Sequence, residues 1–276
     1  GMAAASGISS VSQNDGMFGK SIIFSIIPET QALMGFLIAI LTMIGAGLMG
    51  GVKQAMTLGH GYVAIGAGLA IGLAAISAFG QGFVVSAGIA ATTKSAKNFG
   101  KSLLFSVLPQ TQSLYGFLIA ILLLVGGGVI GAFKPDITLP VGLIAIGSGI
   151  AVGLAALSAI GQGIVAAAST SVVAEKEKMF GRSILFSVLP ETQALYGFLV
   201  AILLLVGGGL LGAVKQGITL SVGLVAVGAG LAAGLAAVSA LGQGFAASAG
   251  LAATARNPKS FGKSIVPSGA STGIHE

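Results

Sequence analysis

Residues 180–197 read FGRSILFSVLPETQALYG, and the same phrase stands twice earlier, as FGKSLLFSVLPQTQSLYG at 99–116 and FGKSIIFSIIPETQALMG at 18–35. The spacing is 81 residues, with no insertion or deletion. A second motif keeps the same spacing: AFGQG around Gln81, AIGQG around Gln162 and ALGQG around Gln243. Self-similarity at a fixed period makes the repeat the unit of the fold. The sequence around both motifs is apolar without alternation, which suits helices rather than the strands of a β-barrel.

Composition sets the solvent. Hydrophobic residues are 55% of the 276 and charged residues 7%, with a mean hydropathy of +1.02. A soluble protein carries ~25% charged residues. Thirteen basic and seven acidic side chains could not cover a soluble fold of this length. The chain is expected to be an all-α membrane protein. A span needs ~20 apolar residues, and six fit: Lys20 to Lys53, Lys53 to Lys94, Lys101 to Lys134, Asp136 to Glu175, Arg182 to Lys215, and Lys215 to Arg256. They pair as three tandem helical hairpins, 18–98, 99–179 and 180–260. Each has a Pro-Glu/Gln-Thr-Gln helix followed by a Gly-Gln-Gly helix.

The ends fall off the repeat's beat. Gly1 aligns with Gly82, Gly163 and Gly244, so residues 1–17 read as the tail of a helix whose first half is missing. Phe261-Gly262-Lys263-Ser264 opens a fourth copy that is expected to stop at once, leaving 261–276 as a C-terminal tail. Residues 264–276, SIVPSGASTGIHE, resemble a short N-terminal stretch of enolases. Thirteen residues cannot build an enolase, so the likeness is explained by a fusion or assembly scar, or by coincidence, and carries no enolase activity.

Charge position gives the orientation. Lys20, Lys94, Lys97, Lys101, Lys176, Lys178, Arg182, Arg256, Lys259 and Lys263 share one side with the chain ends and with the loops joining spans two to three and four to five. The other side has only Lys53, Lys134 and Lys215. Positive charge marks the cytoplasmic side, so those two loops and both termini are expected there. The net charge of +6 thereby reads as topology, not nucleic-acid binding. The N-terminus shows no charged region ahead of an apolar one, hence no signal peptide. Cysteine is absent, which excludes thiolate metal sites and thiol redox chemistry. The two histidines, His60 and His275, stand far apart, and His60 reads as a turn residue.

Two acids lie inside apolar spans. Glu29 and Glu191 stand about nine residues from the cytoplasmic flank, or ~14 Å at the helical rise. A bare charge at that depth costs several kcal/mol unless it is protonated or paired with a cation. One reading is a neutral, hydrogen-bonded structural glutamate; the other is an ion pathway. Pro28, Pro109 and Pro190 precede the key positions, and a proline frees a backbone carbonyl about one turn earlier. Thr30-Gln31, Thr111-Gln112 and Thr192-Gln193 follow. With a carboxylate these are hard oxygen donors, suited to Na⁺ rather than a soft metal.

The Pro-Glu-Thr-Gln-Ala-Leu-Tyr-Gly motif at 190–197, with the Gly-Gln-Gly helices, resembles the proteolipid rotor subunit of V-type and archaeal A-type rotary ATPases. The resemblance covers nearly all of residues 1–263. It implies a ring of helical hairpins that carries H⁺ or Na⁺ past a stator membrane subunit. Rotation would be coupled, through central-stalk subunits, to ATP hydrolysis or synthesis elsewhere. The partners implied are identical copies, the stator, the stalk and the lipid bilayer, with no nucleic acid. The chain itself would be a non-catalytic, multi-pass membrane subunit with no cofactor beyond the transported ion. The Gly-Gln-Gly helices fit the inner wall, where Gly66, Gly68, Gly72, Gly147, Gly149, Gly153, Gly228, Gly230 and Gly234 permit close approach.

Carried over from Na⁺-binding members, the site of Glu191 takes Gln162 from the preceding inner helix. Thr111, Gln112, Tyr115 and the Leu108 carbonyl come from the adjacent outer helix. Glu29 lacks a glutamine 29 positions earlier. A neighbouring copy would supply Gln243, Thr192, Gln193 and Tyr196. The middle repeat has Gln110 for glutamate, set with Gln81, Thr30 and Gln31, and Met34 stands where the others have tyrosine. The joint loss is either drift or an ion site retired as a unit, and an inactive site is expected. The competing readings are a stand-alone ion-coupled secondary transporter or channel, and a structural proteolipid without transport. Parallel repeats with no inverted partner speak against the transporter, and two acids in apolar helices against the proteolipid.

Overall fold

In hydrocarbon every backbone N–H and C=O must be paired within its own segment, so apolar runs this long resolve as helices. The computed structural model describes residues 1–50, 55–213 and 215–270; Lys53 and residues 271–276, with His275 and Glu276, lie outside them. In chain order the helices are α1 (Met2–Gln13), α2 (Phe18–Ile26), α3 (Thr30–Gly45), α4 (Leu58–Ala74), α5 (Ser77–Lys94), α6 (Phe99–Val107) and α7 (Thr111–Gly126). Then follow α8 (Leu139–Ala155), α9 (Ser158–Glu175), α10 (Phe180–Val188), α11 (Thr192–Gly207), α12 (Leu220–Ala236), α13 (Ser239–Arg256) and α14 (Phe261–Ala270). From α2 to α13 they join end to end into six apolar spans of 31 or 37 residues.

Both kinds of span are broken near their middle. In the odd spans the cause is the proline, which lacks an N–H and forces one 3₁₀ turn: Ile27–Glu29, Leu108–Gln110 and Leu189–Glu191. The even spans carry no proline there. Their hydrogen bonds tighten from four-residue to three-residue spacing, as in Ala78 N–H to Ala75 O at 3.0 Å and Ala159 N–H to Ala156 O at 3.0 Å.

The spans form two rows. The even spans pack directly on one another, α4 on α8 and α8 on α12, then α5 on α9 and α9 on α13. Span three (α6, α7) seats over the seam between spans two and four, and span five (α10, α11) over the next seam. Burial reports the consequence: 67% of the apolar window of span four is buried, against 17% of span one and 28% of span six. The two rows end at two open edges, one at span one and one at span six.

Glycine sets the inner spacing. A Cβ on Gly66 would lie 2.4 Å from the Ala145 carbonyl oxygen, one on Gly149 2.1 Å from that of Gly66, and one on Gly147 2.3 Å from that of Ala226. Gly153, Gly230 and Gly234 are equally confined. Gly68, Gly72 and Gly228, expected to do the same, have no such neighbour. They are the repeat-equivalents of crowded positions, and they face the two open edges. The tightest approaches are at the Gly-Gln-Gly motif: 1.9 Å from Gly80 to the Ala159 oxygen and 2.0 Å from Gly161 to the Ala240 oxygen.

The ends continue the pattern. α1 packs on α5 and α2, with the Ser10 and Thr93 hydroxyls 2.6 Å apart. α14 packs on α13, and the Phe186–Phe261 ring pair at 5.9 Å repeats Phe24–Phe99 at 5.5 Å and Phe105–Phe180 at 5.8 Å. The fourth copy therefore does not stop at Ser264. Ser268 keeps the place of Ser106 and Ser187 and bonds the Ser264 carbonyl at 2.7 Å, so the helix runs on to Ala270.

His60 is not a plain turn residue. It lies in the first turn of α4, buried, with Nδ1 accepting the Thr57 N–H at 3.0 Å and Nε2 donating to the Lys134 carbonyl at 3.1 Å. Its ring stacks on Phe133 at 5.1 Å. It caps one helix and pins two loops together. At the opposite end, Lys101 pairs with Glu177, and Lys176 donates to the Ala255 carbonyl at 2.8 Å, tying successive hairpins.

Candidate functional site

The proline turns carry the acidic positions. Because Pro190 ends α10 and Thr192 starts α11, Glu191 sits on the short turn between two helices, half-buried. The turn points it at the seam between spans three and four. Tyr115 OH donates to Glu191 Oε1 at 2.9 Å, and Gln162 Nε2 donates to Oε2 at 3.1 Å. Each carboxylate oxygen thus has one neutral donor.

A second line of groups stands behind. Gln112 Nε2 donates to Gln162 Oε1 at 2.8 Å, and Thr111 Oγ1 lies 3.1 Å from Gln112 Oε1 and 3.0 Å from the Leu108 carbonyl. Gln112 and Gln162 are buried. The result is one directed chain, Thr111 to Gln112 to Gln162 to Glu191, in which each donor faces the carboxylate. Tyr115 and Gln162 touch Glu191 directly. Thr111, Gln112 and the Leu108 carbonyl reach it only through that chain.

The middle repeat builds the same frame without charge. Gln31 Nε2 donates to Gln81 Oε1 at 2.7 Å, and Gln81 Nε2 donates to Gln110 Oε1 at 3.3 Å. Thr30 bonds the Ile27 carbonyl at 2.8 Å and lies 3.3 Å from Gln31 Oε1. Met34 packs into the apolar core rather than offering a donor. Gln81 also takes the Ser106 carbonyl, at 3.0 Å. That acceptor lies one turn before Gln110, and sequence reading missed it; the proline three residues on was the available signal.

The remaining set is split between the two edges. Gln193 Nε2 donates to Gln243 Oε1 at 2.9 Å and Thr192 lies 3.0 Å from Gln193 Oε1, but no carboxylate among the described residues meets them. Tyr196, the counterpart of Tyr115, is 60% exposed. Gln243 instead lies 3.5 Å from the Gly269 carbonyl. At the opposite edge Glu29 is exposed and lines an open cavity of about 670 Å³ with Pro28, Phe79, Gly82 and the start of α1. Within this chain Glu29 and Gln243 do not meet.

Comparison with known proteins adds the family. Residues 1–42, 65–123, 146–204 and 227–274 match the ATP synthase subunit-C family. The chain is 46% identical over 204 residues to the A-type ATP synthase subunit K of Methanocaldococcus jannaschii, covering 74% of this chain and 86% of that protein. It is 36% identical over 129 residues to the V-type sodium ATPase subunit K of Enterococcus hirae, covering 46% of this chain and 79% of the relative. The 16 kDa proteolipid of the V-type proton ATPase of Homo sapiens is 30% identical over 105 residues, 38% of this chain and 64% of that protein.

Proposed function

Since the chain belongs to the ATP synthase subunit-C family, we propose that it is a rotor-ring membrane subunit of an A- or V-type ATPase that carries Na⁺ on Glu191 and Glu29. The observation that carries this reading is the Glu191 carboxylate, set within an apolar span and bonded by Tyr115 and Gln162 from two other spans. A proton carrier needs the carboxyl and one acceptor. For Na⁺ the Gln162 amide would turn its oxygen to the carboxylate, with the Gln112 and Thr111 oxygens behind it; such hard oxygen donors suit Na⁺ and are surplus for a proton. The relative from Enterococcus hirae, named a sodium ATPase subunit, supports the same choice.

Ring closure rests on the edges. Gly207, Gly228 and Gly242 are open, whereas the equivalents Gly126, Gly147 and Gly161 each meet a neighbouring backbone. Gly35, Gly68 and Gly72 are open at the other edge, where Gly116, Gly149 and Gly153 are crowded. A second copy brings the two edges together and places its Gln243, Gln193, Thr192 and Tyr196 at the Glu29 cavity. α1 stands in the repeat position of the neighbour's α13, and α14 in that of the neighbour's α2, so one of each pair yields on closure. The loops after α5 and α9 face the cytoplasm, where the stalk docks, and the stator meets the outer row.

A hydrophobic carbodiimide tests the carriers, because it reacts with a protonated carboxyl reached from lipid. Labelling is expected on Glu29 and Glu191 and to slow as Na⁺ is added at constant pH and ionic strength, with K⁺ protecting less. Bound Na⁺ favours the ionised form, which the reagent does not attack. Peptide mapping that finds the label chiefly on Glu175 or Glu177 would remove the site assignment. Labelling indifferent to Na⁺ would point to a proton ring.

The middle set is a retired site. Gln110→Glu is expected to restore ion binding only in part, since Met34 offers no hydroxyl. Adding Met34→Tyr should raise affinity by about tenfold to a hundredfold or more, the worth of one hydrogen bond to a charged group at ~1.5–3 kcal/mol. Isotopic Na⁺ binding that shows no additional ion per chain in the double variant would count against the idea.

A further inference from the structure

One position breaks the repeat beside the complete site. Ser187, one turn below Glu191 on span five, has the repeat-equivalents Ser25, Ser106 and Ser268. The inner-span position facing it is Gly7, Gly88 and Gly250 in the other copies and serine only at Ser169. The Ser187 and Ser169 hydroxyls lie 2.8 Å apart, and both reach the Ser183 carbonyl, at 2.8 Å and 3.2 Å. All three serines are fully buried. Ser169 stands seven residues, two turns, below Gln162 on the same span, so this tie and the Gln162–Glu191 bond lie along one seam.

We propose that Ser169 is a positioning residue for Glu191, and that through it the two carboxylates of this chain hold their ion unequally. The proline turn uncouples Glu191 from the regular hydrogen bonding of α10, so the lower half of span five must be held from outside the helix. The Ser169 hydroxyl does this by fastening α10 to α9, the helix that also carries Gln162. The glycine seams are held more weakly: beside Gly250, Ser268 Oγ reaches only the Ala246 carbonyl, at 3.2 Å against 2.8 Å between the Ser187 and Ser169 hydroxyls, and Gly7 stands at the Glu29 seam. Glu191 therefore binds more tightly and exchanges more slowly than Glu29. The inference rests on the reading of Glu191 as an ion carrier.

The test is site-resolved carbodiimide labelling of the full chain in liposomes, with Na⁺ titrated at constant pH. Ser169→Ala keeps the side-chain volume and removes the hydroxyl. An interhelical hydrogen bond in a membrane is worth ~1 kcal/mol, or about fivefold. Half-protection of Glu191 is expected at about fivefold higher Na⁺ in Ser169→Ala, while Glu29 is unchanged. Ser187→Ala should give the same shift, and the double variant no more than either alone, the signature of one shared bond. Ser169→Gly, which restores the residue of the other repeats, serves if the alanine variant misfolds. A wild-type chain in which Na⁺ protects Glu191, joined to variants with an unchanged midpoint, would overturn the positioning role alone. Equal shifts at Glu29 and Glu191 would do so too, by revealing general loosening. Wild-type labelling absent from Glu191, or blind to Na⁺, would overturn the reading of Glu191 as a Na⁺ carrier and this inference with it.

Discussion

Glu191→Gln is expected to abolish cation binding at its site while leaving the fold intact. The middle repeat already holds the answer to the second half of that statement: Gln110 occupies the equivalent place and bonds Gln81 at 3.3 Å. An amide at 191 can accept from Gln162 in the same way. What it cannot do is balance a cation. A carboxylate 4 Å from a monovalent ion contributes about 4 kcal/mol at an effective dielectric of 20, which corresponds to nearly a thousandfold in affinity. Equilibrium Na⁺ binding should therefore fall from the ions of Glu29 and Glu191 to that of Glu29 alone, with unfolding stability changed by less than ~1 kcal/mol. Na⁺ binding to Glu191→Gln at wild-type stoichiometry would place the ion somewhere else.

Gly242→Leu should leave the hairpins folded and prevent the ring. Nothing lies within 4 Å of a Cβ at Gly242, so the isolated chain accommodates the new side chain. The equivalent positions Gly80 and Gly161 approach a neighbouring carbonyl oxygen at 1.9 and 2.0 Å. If copies meet edge to edge, Gly242 faces the same crowding against the next copy, and a leucine there holds the rows apart. Gly161→Leu places that overlap inside the chain, where overpacking costs ~1–3 kcal/mol or more. Gly181→Leu is the control, since Gly181 and its equivalents Gly19, Gly100 and Gly262 are all open. Native gel migration should show a ring for Gly181→Leu and single chains for Gly242→Leu. Rings of equal yield from both would exclude closure through this edge.

The split Glu29 site gives these experiments their common logic. Glu191 finds Tyr115 and Gln162 inside one chain, whereas Glu29 faces an open cavity and Gln243 stands at the far edge. A variant at Gln162 should therefore act on Glu191 alone, and a variant at Gln243 on Glu29 alone and only in the assembled ring.

The sequence by itself determined the six apolar spans and their pairing. Continuous apolar runs in lipid have one way to satisfy their backbone, and an 81-residue period without a gap forces equal hairpins. Which side chains belong to each set came from the resemblance that the motifs carry, which implied Gln162 and Tyr115 as companions of Glu191. The tertiary structure alone decided which of those side chains touch. Thr111 and Gln112 prove to be removed from Glu191 by intervening links, since Gln162 fills the place at the carboxylate, and the spacing of a motif does not record who stands in front. Only packing could sort the glycines as well: Gly149 and Gly68 are the same letter in the same repeat position, one crowded to 2.1 Å and one open. The difference is the presence of a neighbouring helix, a long-range property that no local pattern carries. The breaks in the even spans were likewise hidden, having no proline to announce them. Ser169 lay in plain view as a departure from the repeat, yet it acquired meaning only when the structure set its hydroxyl against Ser187, one turn below the acid.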